Sequence, residues 1–242
     1  MESSVKLGLI GKNISYSFSK KYFEQKFQKL LLPHFSYEIF DMEDLSALSG
    51  IMKSTDLRGL NVTIPYKEKI IPFIDELSEE AQEIGAINCI SITDGKTKGY
   101  NTDAFGFEKT LLLHKKEHQK TAIVLGNGGA AKAVQFILKK HQIPFITVSR
   151  NTEINYGNLT EKMIKENPII IQCTPVGTFP NLEDCLEIPF EGIGENHLII
   201  DLIYNPEYSK FIKMASEKGA KTVNGLYMLE QQAEKAWEIW NS

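Results

Sequence analysis

Two rhythms of apolar and polar positions share this chain. Short apolar runs, most of them closed by Gly, Pro, Ser or Asn, recur along its length: VKLGLIG, FSYEIF, LRGLNVTIP, TAIVLG, PFITVS, PIIIQC and HLIIDLIYN. Their length and β-branched content mark strands, the most apolar of them buried on both faces. Between the runs, apolar residues recur three and four apart, as on one helix face. This spacing predicts an amphipathic helix over about 20–32, a polar helix from about Glu43, a helix over 67–77 interrupted at Pro72, and a further turn in SEEAQEIG. It also predicts helices in FGFEKTLLLHKK, GAAKAVQFILKKH, FIKMASEKGA and LEQQAEKAWEIW, with a short strand in AKTVNGL between the last two. In INCISITDGKTKGY, β-rich runs flank Asp94-Gly95, a hairpin dipeptide because both residues tolerate positive φ.

Strands alternating with helices define an α/β protein with mostly parallel sheet. The texture changes after Asp103, which suggests two domains: residues 1–104, onto which the closing helix within 223–242 packs back, and residues 105–222. A length of 242 residues allows two modest domains of this kind. The net charge is −4 and no basic block stands out, so no nucleic-acid face is expected. No apolar run has the length of a membrane span, and MESSVKLGLIGK lacks a secretory core, so a cytoplasmic protein without a membrane partner is expected. Cys89, Cys173 and Cys185 are odd in number and widely spaced, and are read as buried free thiols with no structural metal.

The stretch AIVLGNGGAAKAV places Gly126, Asn127, Gly128, Gly129 and Ala130 between a buried strand and an alanine-rich helix. That is the setting of a dinucleotide turn: Gly126 permits the bend, and Gly128 and Gly129 let backbone N–H groups approach a pyrophosphate. The helix N-terminus then faces the anion. The alternative is a glycine-rich turn with no ligand. The next strand ends in Ser149, Arg150 and Asn151, with a guanidinium where an NAD site would carry a carboxylate. An arginine there suits the 2′-phosphate of NADP through charge-assisted bonds.

Hydride transfer to a carbonyl needs a proton partner. The five histidines sit at polar helix ends, after a proline or before a strand. Lys67 and Asp103 are the better candidates. Lys67 follows the turn forced by Pro65 in NVTIPYK, and Asp103 lies in GYNTDAFG where the two domains would join. A carboxylate beside a lysine holds it and tunes its proton affinity.

With ISYSFSK, NVTIPYK, GAINCI, GYNTDAFGF, GNGGAAKAV, VSRN, CTPVGT, DLIYNP and NGLYMLEQQA in this order, the chain resembles the shikimate dehydrogenases almost end to end. The resemblance implies an N-terminal substrate domain, a Rossmann-like NADP-binding domain, and reversible NADPH-dependent reduction of 3-dehydroshikimate to shikimate on the route to chorismate and the aromatic amino acids. It implies Lys67 and Asp103 as the catalytic pair, with the formal acid left open. Ser17 and Ser19 would hold the substrate carboxylate, and Asn61, Thr63 and Asn88 would surround the ring hydroxyls with Asp103. Tyr204 and Gln232 would add further substrate contacts. Gly126 to Ala130 with Ser149, Arg150 and Asn151 would hold the cofactor, and Thr174, Leu202, Gly225 and Met228 would lie on the nicotinamide side. It allows a monomer or a homodimer.

Each substrate assignment has a plainer alternative: Ser17 and Ser19 as helix caps, Asn88 as a partner of loop backbone, Tyr204 as core, Gln232 as a solvated helix position. The chain also departs from the family pattern. Tyr16 and Lys20 replace the His and Pro common around the two serines, and Tyr227 stands where glycine is usual. Two rival functions remain: a relative that also takes quinate or NAD, and a non-catalytic NADP-binding sensor. Arg150 opposes NAD use, and the presence of both Lys67 and Asp103 opposes the sensor.

Overall fold

The computed structural model describes residues 3–14 and 17–242; Ser15 and Tyr16, and with them the first departure from the family motif, lie outside the described residues. The chain forms two compact units, one of Met1–Thr102 with Ala233–Ser242 and one of Asp103–Gln232.

The first unit contains β1 (Val5–Gly11), α1 (Phe18–Lys29), β2 (Phe35–Asp41), α2 (Leu48–Met52), β3 (Leu57–Val62), β4 (Glu76–Leu77), α3 (Glu79–Ile84), β5 (Cys89–Thr93) and β6 (Lys96–Tyr100). They build one sheet in the order β2-β1-β3-β5-β6-β4. β1 is parallel to β2 and β3, β5 runs antiparallel to β3 and β6, and β4 lies parallel to β6. Strand alternation sorts the side chains. Ile10, Leu60, Val62 and Ile90 pack with Leu48, Tyr66, Ile70 and Ala81 on one face. Leu7, Leu9, Tyr37 and Cys89 pack on the other with Phe23 and Phe27 of α1.

The second unit begins in α4 (Thr102–His114) and continues through β7 (Ala122–Leu125), α5 (Gly129–Lys140), β8 (Phe145–Val148), α6 (Glu161–Glu166), β9 (Ile169–Gln172), β10 (Leu198–Asp201), α7 (Lys210–Glu217) and β11 (Lys221–Val223) into α8 (Leu226–Trp240). Its sheet runs β11-β10-β9-β7-β8 and every pair is parallel. All four residues of each of β7, β9 and β10 are buried, as strands covered on both faces require. The last turns of α8 belong to the first unit: Ala233, Ala236 and Trp240 complete the cluster around Phe23, and the Trp240 Nε1–H donates to the Ile90 carbonyl at 2.9 Å. Tyr22 and Lys26 of α1 both bond the Glu234 carboxylate.

Parallel and mixed sheets, the Asp94-Gly95 hairpin with φ of 51° and 74°, and the strand–turn–helix at β7 and α5 agree with the sequence reading. Three local expectations do not. The helix expected over 67–77 is a series of turns, a 3-10 turn at Ile71–Phe73 and the strand β4. Pro72 removes a donor that a helix needs, and Glu76 and Leu77 pair instead with Lys98 and Gly99. The helix expected from Glu43 is confined to α2, because the Asp44 carboxylate accepts the Ser46 N–H at 2.8 Å and fixes a turn. The first helix ends earlier than expected, where Leu31 turns left-handed at φ 56°.

Candidate active site

The carboxyl ends of the second unit's strands collect the residues singled out for a cofactor. Strand order reverses between β7 and β9, and in an open parallel sheet that switch point is where ligands bind. Gly126 follows β7 with φ 110°, a conformation that favours glycine, and its N–H donates to the Val148 carbonyl at 2.8 Å. Asn127 and Gly128 are exposed. Gly128 opens α5 and no side chain caps it, so the first N–H groups of the helix are not occupied by a cap. The helix can approach the sheet because Ala131 and Ala133 are fully buried. Ala130 is half-buried beside them.

Thr174 follows β9, and its methyl lies 3.0 Å from where a Cβ on Gly126 would fall. At the tip of β8, Ser149 is half-buried, while Arg150 and Asn151 are exposed. Leu202 follows β10. A Cβ on Gly225, beyond β11, would lie 2.1 Å from the Leu202 carbonyl oxygen, so that crossing admits only glycine. Met228 is buried in the first turns of α8. A positive-φ turn, uncapped N–H groups and an exposed guanidinium on one edge fit a phosphorylated dinucleotide.

In the first unit, the polar residues expected around a substrate converge on the α1 face of the sheet. Asn61 and Asn88 are 4% and 3% exposed. Asn61 Oδ1 accepts from the Tyr37 hydroxyl at 2.7 Å, and its Nδ2 donates to the Asn88 carbonyl at 3.3 Å. The Asn88 carboxamide accepts the Thr102 N–H at 2.6 Å and donates to the Thr102 hydroxyl at 3.0 Å, which caps the start of α4. Ser17 is the N-cap of α1 and accepts the Ser19 N–H at 3.2 Å. The plainer roles weighed for them, a helix cap for Ser17 and a partner of backbone for Asn88, are therefore real features of the fold. Thr63 continues the strand edge, with its N–H on the Ile10 carbonyl at 2.9 Å.

Lys67 is half-buried, and its backbone is pinned from two sides. The Ile87 N–H donates to its carbonyl at 2.8 Å, and the hydroxyl of the preceding Tyr66 donates to the Met42 carbonyl at 2.6 Å. The turn that Pro65 begins thus carries the lysine on fixed backbone.

Asp103 is 7% exposed in the first turn of α4, where the helix dipole favours a carboxylate. One turn on, Gly106 packs against Met228 and Gln232 of α8, which sets Asp103 on the helix face that meets those residues. Gln232 is buried rather than solvated, with its amide on the Leu229 carbonyl at 2.9 Å. Tyr204 is half-buried beyond β10. Tyr227, the bulky departure, is half-buried on α8 beside Met228.

The thiol reading needs a correction. Cys89 is buried, but Cys173 and Cys185 are only half-buried, because they sit in the loops beyond β9 rather than in the sheet. Burial raises the Cys89 and Cys173 thiols well above the ordinary range, which keeps both unreactive. The histidines are structural where they are buried: His197 bonds Gly194 and the Ile164 carbonyl. Two residues escaped the sequence reading. Thr152 closes the Arg150 turn by accepting the Ser149 N–H at 2.8 Å and donating to the Ile154 carbonyl at 2.6 Å. Its spacing from Ser149, three residues on, was the available signal. Tyr37 gave no signal, lying in an ordinary strand pattern.

A parallel sheet with a glycine turn at its switch point, joined to a mixed sheet with a buried polar cluster, is the build of a two-domain, dinucleotide-dependent dehydrogenase. Comparison with known proteins narrows the class. Residues 9–90 match the family model of the shikimate dehydrogenase substrate binding domain. The chain is 37% identical to shikimate dehydrogenase (NADP(+)) of Desulforamulus reducens over 96% of its own length and 88% of that protein. The chain belongs to the shikimate dehydrogenase family. Among solved structures, that of shikimate dehydrogenase from Aquifex aeolicus matches with a TM-score of 0.89 at 33% identity, covering 98% of this chain and 92% of that one. The Thermus thermophilus enzyme in complex with NADP(H) and shikimate matches with a TM-score of 0.87 at 30% identity, covering 98% and 93%. Among the described residues, no helix is long and apolar enough to cross a membrane.

Proposed function

We propose that this chain is an NADP-dependent shikimate dehydrogenase that reversibly reduces 3-dehydroshikimate to shikimate, on the route to chorismate and the aromatic amino acids. One observation carries the reading. In a chain of this family, Gly126 to Ala130, Ser149 to Asn151, Thr174, Leu202 and Gly225 all follow the carboxyl ends of strands in one parallel sheet. The first unit supplies Ser17, Ser19, Asn61, Thr63, Asn88 and Lys67, and the second supplies Asp103, Tyr204, Gln232 and the NADP(H) site.

Bound NADPH supplies the hydride that reaches the C3 carbonyl. Lys67 delivers the proton to the C3 oxygen and recovers it in the reverse direction. Asp103 is the second member of the catalytic pair. Ser17 and Ser19 donate to the substrate carboxylate, while Asn61, Thr63 and Asn88 fix the ring hydroxyls with Tyr204 and Gln232. Arg150, with Ser149 and Asn151, binds the 2′-phosphate, and the open N-terminus of α5 binds the pyrophosphate. Thr174, Leu202, Gly225 and Met228 flank the nicotinamide. The three free thiols support work in the cytoplasm.

The test is nicotinamide absorbance with purified protein, shikimate or quinate, and NADP or NAD. Reduction with shikimate and NADP is the expected result. Equal rates with quinate or NAD would make it a broader-specificity relative. NADP binding without turnover would make it a sensor.

A further inference from the structure

Tyr37 belongs to none of the motifs that carry the family likeness, yet its surroundings are unusual for a core residue. It is 2% exposed, and its ring stacks on Phe23 at 4.8 Å between centroids with an 11° tilt. Leu7, Leu9, Phe23 and Trp240 share its apolar cluster. A phenylalanine would fill this space at no polar cost, whereas a buried hydroxyl is unfavourable unless it is hydrogen-bonded. The Tyr37 hydroxyl meets that requirement: it donates to Asn61 Oδ1 at 2.7 Å. Burial raises the phenol well above its ordinary range, partly offset by Ser19, so the group remains an O–H donor at any working pH.

A carboxamide has an accepting end and a donating end, and a flip exchanges them. The Asn88 carbonyl, which can only accept, sets which end is which, and the phenol supplies the donor that Oδ1 then needs. Asn61 Oδ1 turns to Tyr37, and Nδ2 turns toward the Asn88 carbonyl. Without the phenol O–H, Oδ1 loses its donor and the carboxamide is held only by the long bond to the Asn88 carbonyl, so its second N–H is no longer fixed toward a substrate oxygen.

We infer that Tyr37 is a positioning residue of the substrate site, one that acts through Asn61 by locking its carboxamide so that the remaining amide N–H is offered to a substrate oxygen. The inference rests on the substrate role proposed above for Asn61, and it adds β2 to the elements that shape the site.

The test is steady-state kinetics on Tyr37→Phe, Asn61→Ala and the double variant, with thermal melting of each. Tyr37→Phe should raise the shikimate KM roughly five- to tenfold, as expected when one buried acceptor loses its donor. The NADP KM should stay within about twofold, because a different set of residues holds the cofactor. The double variant should be no worse than Asn61→Ala alone. A lower melting temperature with a wild-type shikimate KM would reduce the phenol to a structural hydroxyl and overturn the inference. Multiplying effects in the double variant would also overturn it. As a second route, Asn61→Asp keeps the oxygen that Tyr37 bonds but removes the N–H, and a wild-type KM there would refute the role given to that N–H. Absence of turnover in the wild-type protein would instead sink the functional reading itself.

Discussion

Asp201 allows a prediction in which the sign and the size both come from the structure. It ends β10 with no exposure to solvent. Its carboxylate accepts the Ile203 N–H at 3.0 Å and the Ser209 hydroxyl at 2.5 Å, and no cation is among these partners. Burial raises the carboxyl from its ordinary value of 3.8 to about 6, with the two hydrogen bonds offsetting only part of that cost. Between those two values the folded protein binds a proton that the unfolded chain releases. The contribution of this group is therefore fully present below about pH 4 and is lost as pH rises through about 6, at a cost of about 3 kcal/mol.

An asparagine in place of this aspartate would mimic the neutral acid at every pH. Asp201→Asn should thus match the wild type near pH 4 and be more stable by up to about 3 kcal/mol at pH 7, less whatever its rearranged bond to Ser209 costs. Urea unfolding of both proteins at a series of pH values reads the difference directly. A difference that stays constant from pH 4 to 8 would refute the reasoning, because a carboxyl with an ordinary pKa gives no such slope.

Three further outcomes are expected. Lys67→Ala should lose about 10²–10⁴-fold in kcat with a smaller change in shikimate KM, and near-normal turnover would remove Lys67 from the chemistry. Arg150→Ala should raise the NADPH KM roughly tenfold and leave the NADH KM nearly unchanged; equal effects on both cofactors would end the 2′-phosphate assignment. Gly225→Ala drives a methyl into the Leu202 carbonyl and should destabilise the protein by about 1–3 kcal/mol, so an unchanged melting curve would contradict that close approach.

The sequence discloses what depends on local chemistry. The glycine turn after β7, the Asp94-Gly95 hairpin and the cation at the tip of β8 each have a backbone or charge requirement written in neighbouring residues. The turns over 67–77 are not legible because apolar spacing there satisfies a helix, while the competing pairing of Glu76 with Lys98 lies far along the chain. The 43–47 segment departs from its helical pattern for a local reason, the Asp44 side chain bonding its own backbone two residues on. Tyr37 could not be found at all. Its hydroxyl matters through Asn61, which sits on another strand, and strand pattern alone does not separate a core tyrosine from one that is bonded for a purpose.

The seating of Trp240 against the β3–β5 part of the first sheet has a consequence for how the chain is made. Residues 233–242 leave the ribosome after the whole of the second unit, yet they complete the cluster around Phe23 that residues 5–102 begin. The continuous second unit can close as soon as it emerges. The earlier-made unit must wait with the side of the Phe23 cluster that Ala233, Ala236 and Trp240 cover still open, which makes it the later of the two to finish and the one exposed to aggregation while it waits.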